Sequence, residues 1–364
     1  MNERVAHPID EVPAWMDDVW GGLAAMLVAL PSSIAFGVLA YTALGPEYVA
    51  QGAVVGILGA AALGLVAPLV GRTSGLISAP CAPAAAVLTA LVTELLAGPD
   101  GNALTPAAIL PLIALTALLA ALFQVIYGLI GGGRLIKFIP YPVVSGYLSG
   151  VGVLIALSQI PKLFGYPKGT PLFQGLTSPE LWKWQGLVVG LATIVIMEAA
   201  PHITKKIPAA IIGLLGGMLT YFVLALFSSG LLQIQGNPLV IGSIQTSGSF
   251  LGAALDRAAS LLTLDFASVR IVLIPALTLS VLLSIDTLKT CVVLDVLTHN
   301  RHNSDRELIG QGIGNCAAFL VGGMPGAGTA GPTLVNITSG GKTPRSGAIE
   351  GALVLIAFFF MGPL

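Results

Sequence analysis

The stretch SAPCAP at residues 78–83 and the stretch GAGTAGP at residues 326–332 are the two most informative segments of this chain. Each places small residues and proline directly before an apolar run, at 84–96 and at 333–337. Helices that start or break at membrane depth are tolerated only where they are buried in protein or line a cavity. A matching pair of them marks a binding site, and the free amides at a helix N-terminus favour an anion there.

The composition is that of an integral membrane protein. Of 364 residues, 55% are hydrophobic and only 9% are charged, whereas a soluble domain carries roughly 25% charge. Spaced glycines such as Gly52 with Gly56 and Gly310 with Gly314 predict close helix packing. The net charge of -1 argues against nucleic acid as a partner, and the N-terminus lacks the pattern of a secretory signal peptide.

The apolar runs predict about eleven membrane spans. They are expected near 17–43, 48–70, 80–97, 105–131, 138–160, 184–201, 208–229, 271–297, 306–323, 329–339 and 346–364. The tenth is too short to cross a bilayer as a plain helix, which fits a half-helix preceded by extended chain. The longest polar connection, 231–269, separates the first seven spans from the rest and has room for short strands or amphipathic helices.

The basic residues predict a cytoplasmic N-terminus. With alternating spans, ten basic residues fall inside and five outside, as the positive-inside rule requires. The inside set is Arg4, Arg72, Arg134, Lys137, Lys205, Lys206, Arg301, Arg306, Lys342 and Arg345, and the outside set is Lys162, Lys168, Lys183, Arg257 and Arg270.

No pattern of catalysis or of a transition-metal site is present. The cysteines Cys81, Cys291 and Cys316 form no CxxC pair and are interpreted as reduced packing residues. No HExxH motif occurs, and no intramembrane histidine or nucleophile beside a base is found. The chain is therefore not expected to be an enzyme.

Four stretches resemble the SulP family of anion transporters. They are 21–37 with ALP and AFG, 75–80 with GLISAP, 295–314 with ELIGQG, and 322–336 with GGMPG and VN. Because they are spread over nearly the whole chain, the resemblance is specific. Within the family, residues 284–290 are most similar to BicA-type bicarbonate transporters.

The resemblance implies an all-α polytopic membrane protein with a SulP/UraA-like seven-plus-seven inverted repeat. Core and gate domains are expected, together with two half-helices with short strands at the third and tenth spans. The expected parts are a cytoplasmic segment 1–16, a first repeat 17–229, an extracellular or periplasmic connection 230–269 and a partial second repeat 270–364. The last spans of that repeat and the usual STAS domain are absent, so the chain is expected to be truncated; the complete protein is expected to form a homodimer.

Asp286 is the candidate for cation coupling. An intramembrane carboxylate costs at least about 2.5–3.5 kcal/mol on insertion scales, and Thr290 shares its helical face. The resemblance implies Na⁺ as coupling ion, with Asp286 and Thr290 as metal ligands beside Gly328 at the start of the tenth span. The carboxylate could instead carry a proton, or form a purely structural ion pair with Lys289.

Lys289 is an unusual residue for a membrane span. Many SulP members carry an arginine where this chain has Pro332, and that arginine offers the substrate a positive charge. Lys289 could replace that charge, face Asp286, or extend toward the membrane surface.

The candidate substrate site is built from small residues whose backbone N–H groups would bind the anion. Its members are Phe36, Ser78, Ala79, Cys81, Ala82, Thr329, Ala330 and Gly331. The alternatives are a kinked packed helix for the two openings and a core position for Phe36. We interpret Asp295, Asn303 and Glu307 as cap and loop-fixing groups, and Gln124 as a packing hydrogen bond.

These patterns together predict a secondary active transporter of a small inorganic anion in a bacterial inner membrane. The favoured hypothesis is Na⁺-coupled bicarbonate uptake by alternating access. An H⁺-coupled transporter of sulfate or a dicarboxylate is the alternative, and an anion channel on the same fold is a second one.

Overall fold

The computed structural model of the protein describes residues 14–98, 103–134, 172–204, 209–232 and 266–361, with isolated positions between 142 and 165. The helices are α1 Ala14–Thr42, α2 Val49–Gly71, α3 Ala82–Ala97, α4 Pro106–Leu129, α5 Leu172–Thr177, α6 Trp184–Ile203, α7 Ala209–Phe227, α8 Phe266–Thr298, α9 Ser304–Val321, α10 Ala330–Thr338 and α11 Pro344–Met361. The strands are β1 Ser78–Pro80 and β2 Gly326–Gly328, and short 3-10 turns occupy Pro46–Tyr48, Pro179–Leu181 and Ser229–Leu232.

The described helices agree with ten of the predicted spans. Five of them, Trp15–Thr42, Pro46–Gly71, Pro106–Leu129, Trp184–Ile203 and Ser268–Thr298, are each long and apolar enough to cross a membrane. The predicted tenth span is helix α10, with 9 residues, as expected of a half-helix. The predicted fifth span and most of the polar connection lie outside the described residues. The protein is a multi-pass helical membrane protein.

Helix ends follow their local sequence. Asn303 caps α9 by accepting a hydrogen bond from Arg306 N at 3.0 Å, and acidic residues occupy the first turn of that helix. Gly322 ends α9 in the left-handed region at φ 76°, a conformation that glycine adopts at little cost. The interpretation of Asn303 as a cap is confirmed.

Glycine brings the helices of the bundle into close contact. A Cβ on Gly52 would lie 2.6 Å from Gly37 O of α1, and one on Gly310 would lie 2.5 Å from Gly71 N of α2. Both approaches confirm the predicted small-residue packing faces. Helix α2, which has no charged residue, packs between α1, α9 and α11.

The helices fall into two groups by their packing. Helices α1–α4 and α8–α11 pack into one bundle around β1 and β2. Helices α6 and α7 pack mainly on each other, and α7 meets the bundle in a small contact with α1. Only 6% of the apolar window of α6 is buried, so the two groups are joined loosely in the described part of the chain. The repeat boundaries at 229–230 and 269–270 stay a prediction.

Strands β1 and β2 form a two-stranded antiparallel ribbon at the centre of the bundle. Ser78 pairs with Gly328, Ala79 with Ala327, and Pro80 with Gly326. Because the strands are antiparallel, the chain leaves the ribbon at opposite ends, into α3 and into α10. The strand ends that lead into the two half-helices, Pro80 and Gly328, are therefore two residue steps apart along the ribbon, roughly 7 Å.

Candidate functional site

The ribbon is held by side chains that replace missing neighbouring strands. Asn315 of α9 accepts from Gly326 N at 2.8 Å and donates to Gly326 O at 3.0 Å. Thr287 of α8 accepts from Gly328 N at 2.9 Å. Buried backbone groups need partners, and a ribbon of two strands leaves its outer groups unpaired. Asn315 and Thr287 therefore fix the position of β2.

A second chain of polar contacts fixes β1. The Gln311 side chain donates to Ser78 Oγ at 2.6 Å and to Glu307 Oε1 at 3.0 Å, and Thr73 Oγ1 donates to Glu307 Oε2 at 2.6 Å. All four residues are buried. Glu307 thus ties α9 to the segment that leads into β1, as its loop-fixing interpretation requires.

Ser78 and Ala79 are scaffold residues in the structure. The Ser78 hydroxyl is engaged by Gln311, and both residues are at most 1% exposed. Thr329 is also partly engaged within the protein, because its amide donates a hydrogen bond to Ile77 O at 2.8 Å. These three predicted substrate residues shape the ribbon and present little surface to a ligand.

The half-helix openings differ in their access. At α10, Ala330 is half-buried and Gly331 is exposed, and a Cβ built on Gly331 would meet no atom within 4 Å. At α3, Cys81 is buried as the N-cap residue and Ala82 is half-buried. The first amides of a helix have no partner within the helix. The open space at Gly331 is therefore where an anion could reach such amides.

Asp286 is paired with Lys289. Lys289 Nζ lies 3.0 Å from Asp286 Oδ1, and the two side chains are 29% and 12% exposed. Three residues before Asp286 on α8, Leu283 lies in the same apolar cluster as Cys81, the residue that caps α3. The ion pair therefore lies beside the opening of α3, and the predicted cation and anion regions adjoin.

The oxygen atoms near Asp286 suit a monovalent cation. The Thr290 hydroxyl, which is 1% exposed, donates to Asp286 O at 2.9 Å and keeps its lone pairs. The Gly328 amide points to α8, where Thr287 accepts it. In an extended strand the carbonyl of a residue points to the same side as its amide, so the Gly328 carbonyl also faces α8. Among the described residues, no group of three or more His, Cys, Asp and Glu side chains could hold a metal ion. One carboxylate with neutral oxygens fits Na⁺ better than a transition metal.

Phe36 packs against the largest apolar cluster, which includes Cys81 and Ala327. The ring is half-buried. Its position near the ribbon is compatible with both a core role and a place at the edge of the site.

The remaining polar interpretations can be assigned. Asp295 accepts from His302 N at 2.9 Å and pairs with its ring Nδ1 at 2.8 Å, which fixes the loop between α8 and α9. Gln124 Oε1 accepts from Asn315 at 2.7 Å. Both predicted structural roles are confirmed.

Sequence reasoning missed Thr287, Gln311 and Asn315. A signal for the latter two existed, because Glu307, Gln311 and Asn315 follow one another at four-residue spacing. Such residues share one face of a helix, and a polar face inside a membrane helix needs a partner. Thr287 gave no comparable signal beyond its place next to Asp286.

A cavity of about 300 Å³ reaches residues 323–325, which lead into β2. It is lined by α2, α4 and the end of α9, including Gln51, Pro111 and Phe319, and it does not include Asp286 or the half-helix openings.

A helical membrane bundle with two opposed half-helices, a central ribbon and an adjoining carboxylate is the architecture of a secondary transporter with broken helices. The comparison with protein families makes the assignment specific. Residues 16–364 match the sulfate permease family, and the chain belongs to that family.

Similar proteins carry the names of transporters. The bicarbonate transporter BicA of Picosynechococcus sp. is 33% identical, over 93% of this chain and 56% of its own length. The putative sulfate transporter YvdB of Bacillus subtilis is 25% identical, over 95% of this chain and 60% of its own length. The chain thus spans a little over half the length of these relatives. Both are named as transporters, which agrees with the expectation that this chain is not an enzyme.

Solved structures confirm the fold. The transmembrane domain of a cyanobacterial BicA has a TM-score of 0.76 at 32% identity, covering 95% of this chain and 82% of that one. SLC26A9 has a TM-score of 0.69 at 18% identity, covering 94% of this chain and 53% of that one. The SulP/UraA-like fold and the similarity to BicA-type proteins are therefore confirmed.

Proposed function

We propose that this chain forms the membrane part of a secondary transporter that couples Na⁺ to the uptake of bicarbonate. The observation that carries the proposal is the ion pair of Asp286 beside the opening of α3, in a chain 33% identical to a bicarbonate transporter. Bicarbonate is a small monovalent anion, and its oxygens accept hydrogen bonds from helix N-terminal amides.

The anion is bound by the first amides of α3 and α10, next to Ala82, Ala330 and Gly331. These amides are fixed because the ribbon before them is held by α8 and α9. A preorganised set of donors binds an anion without first having to be ordered. The small side chains leave the amides accessible.

The cation is bound by Asp286, with Thr290 and the Gly328 carbonyl as neutral ligands. A cation at this place offsets the charge of the anion in a medium of low dielectric constant. Movement of the bundle α1–α4 and α8–α11 against the α6–α7 pair then exposes the site alternately to the two sides. The loose packing between the two groups supports such a movement.

The N-terminus lies in the cytoplasm in this proposal, and the membrane is the bacterial inner membrane. The excess of basic residues on the predicted inner side supports the orientation. The complete protein forms a homodimer in this proposal.

H⁺-coupled transport of sulfate or a dicarboxylate is the second candidate. The similarity to a putative sulfate transporter favours it, and an intramembrane carboxylate can carry a proton as well as contact Na⁺. With a proton on Asp286, Lys289 supplies a single positive charge, and a divalent anion would need more.

Uptake by proteoliposomes tests the proposal. Labelled bicarbonate and sulfate are offered to the complete chain with an inward Na⁺ gradient, with an inward H⁺ gradient and with neither. Bicarbonate uptake that follows the Na⁺ gradient supports the proposal, and uptake that follows only the H⁺ gradient rejects it. An anion conductance far above carrier turnover in planar bilayers would indicate a channel instead.

Asp286→Asn is the variant that tests the cation site. We expect it to abolish the Na⁺-driven component while the protein remains in the membrane. Asp17→Asn is the matched control, because Asp17 lies in the first turn of α1 and pairs at 3.2 Å with the exposed Lys342.

A further inference from the structure

The carboxylate that would hold the coupling cation already has a positive partner. Lys289 Nζ lies 3.0 Å from Asp286 Oδ1, three residues away on α8. An ammonium in that position meets the charge requirement of the carboxylate and opposes the approach of Na⁺. Na⁺ binding at Asp286 therefore requires Lys289 to move.

Lys289 has somewhere to move. Its side chain is 29% exposed, whereas that of Asp286 is 12% exposed, and a lysine stem has four rotatable carbons. Helix α8, which carries Lys289, packs against α3, and Leu283 of α8 lies in the same apolar cluster as Cys81, the residue that caps α3. A monovalent anion at the opening of α3 thus lies within the electrostatic range of the Lys289 ammonium.

We propose that Lys289 is a tethered counter-ion that occupies Asp286 in the anion-free protein and moves to the bound anion, which vacates Asp286 for Na⁺. This inference rests on the proposed function and assigns to Lys289 the task of linking the two binding events. It is a positioning residue for Na⁺ and a direct contact of the anion.

The charges of the four participants explain how this exchange enforces coupling. Asp286 and Lys289 alone sum to zero, and with one Na⁺ and one bicarbonate the sum is again zero. The site with only the anion carries one negative charge, and the site with only Na⁺ carries one positive charge. Net charge is costly at membrane depth, so the empty and the fully loaded forms are favoured for movement.

Without Lys289 the balance changes. Asp286 alone is negative, and Na⁺ alone makes it neutral. Na⁺ would then bind and cross without an anion, while the empty, negative form would be disfavoured for the return, so a variant lacking the lysine charge is expected to exchange Na⁺ for Na⁺ without bicarbonate.

Binding of ²²Na⁺ to the complete chain in lipid nanodiscs tests the inference, with and without saturating bicarbonate at constant ionic strength. In the wild type, bicarbonate is expected to lower the Kd for Na⁺ by between about 5-fold and about 150-fold, the usual range of coupling between two sites. In Lys289→Gln, the Kd for Na⁺ without bicarbonate is expected to be lower than in the wild type, and added bicarbonate is expected to lower it by less than about 5-fold, because only the direct attraction between the two ions remains. Lys289→Arg, which retains a cation, is the control and keeps the dependence on bicarbonate.

The outcomes separate the inference from the proposed function. If Lys289→Gln keeps the wild-type dependence on bicarbonate, Lys289 is not the link, even though Asp286→Asn abolishes Na⁺ binding. If Asp286→Asn binds Na⁺ as the wild type does, the cation site itself is wrong and both proposals fail. Absence of Na⁺ binding to the wild type in the presence of bicarbonate also overturns both.

Discussion

Replacement of Asn315 by leucine tests whether the ribbon depends on side chains from α9. The substitution removes two hydrogen bonds to Gly326, at 2.8 and 3.0 Å, and one to Gln124 at 2.7 Å. The two backbone groups of Gly326 would be left buried without these partners, at about 1–3 kcal/mol each. The sum is about 2–6 kcal/mol, and three membrane hydrogen bonds at about 0.6 kcal/mol each give a similar lower limit of about 2 kcal/mol.

Thermal unfolding in detergent measures this loss. At about 2.1 cal/mol/K of unfolding entropy per residue, a loss of about 2–6 kcal/mol lowers the Tm of this 364-residue chain by roughly 3–8 °C. The control is Thr338→Val, because in the described part of the chain the exposed Thr338 hydroxyl bonds only to carbonyls of its own helix, at 2.9 and 3.1 Å. A Tm of Asn315→Leu within about 1 °C of the control would refute the assignment of Asn315 as the clamp of β2.

Two glycine-to-alanine substitutions at and near β2 are expected to differ in their effect on stability. Gly326→Ala is expected to destabilise the fold, because the new Cβ would contact the Ala79 carbonyl and lie 2.7 Å from Pro80 N; Gly331→Ala is expected to fold like the wild type and to weaken anion binding, since its Cβ enters open space at the α10 opening. Equal unfolding temperatures for the two would contradict this contrast. Glu350→Met is expected to raise the free energy of unfolding by about 1–3 kcal/mol, since it removes buried unpaired oxygens: neither carboxyl oxygen of Glu350 has a hydrogen-bond partner among the described residues. A lower Tm for this variant would show that the carboxyl is stabilising.

The architecture of the half-helices could be predicted from the sequence because glycine and proline are constrained by the backbone. Small residues and proline at 78–83 and 326–332 can serve an extended segment followed by a helix start, and they interrupt a continuous membrane helix. The length of α10 follows from the short apolar run after it. These local signals remain valid in the folded protein, because no tertiary contact can replace the missing amide hydrogen of a proline.

The ribbon register and its clamps could not be predicted in the same way. They depend on which faces of α8 and α9 meet β1 and β2, and this is a property of the packed bundle. Ser78 illustrates the limit, because a serine before a half-helix is an obvious ligand until Gln311 is seen to hold its hydroxyl at 2.6 Å. For a related reason, the sequence could not decide whether Asp286 contacts Lys289, since three-residue spacing permits an ion pair but does not require one.

The structure divides the polar groups of the membrane interior between two tasks. Thr287, Gln311 and Asn315 meet hydrogen-bonding needs of the ribbon and hold it rigid. Asp286 and Lys289 satisfy each other through a contact that flexible side chains can exchange for other partners. The proposed site for two ions needs both properties: fixed amides would make the anion site selective, and an exchangeable ion pair would let occupancy of one site alter the other. In this proposal, the rigid ribbon and the adaptable ion pair on α8 are therefore complementary parts of one binding site.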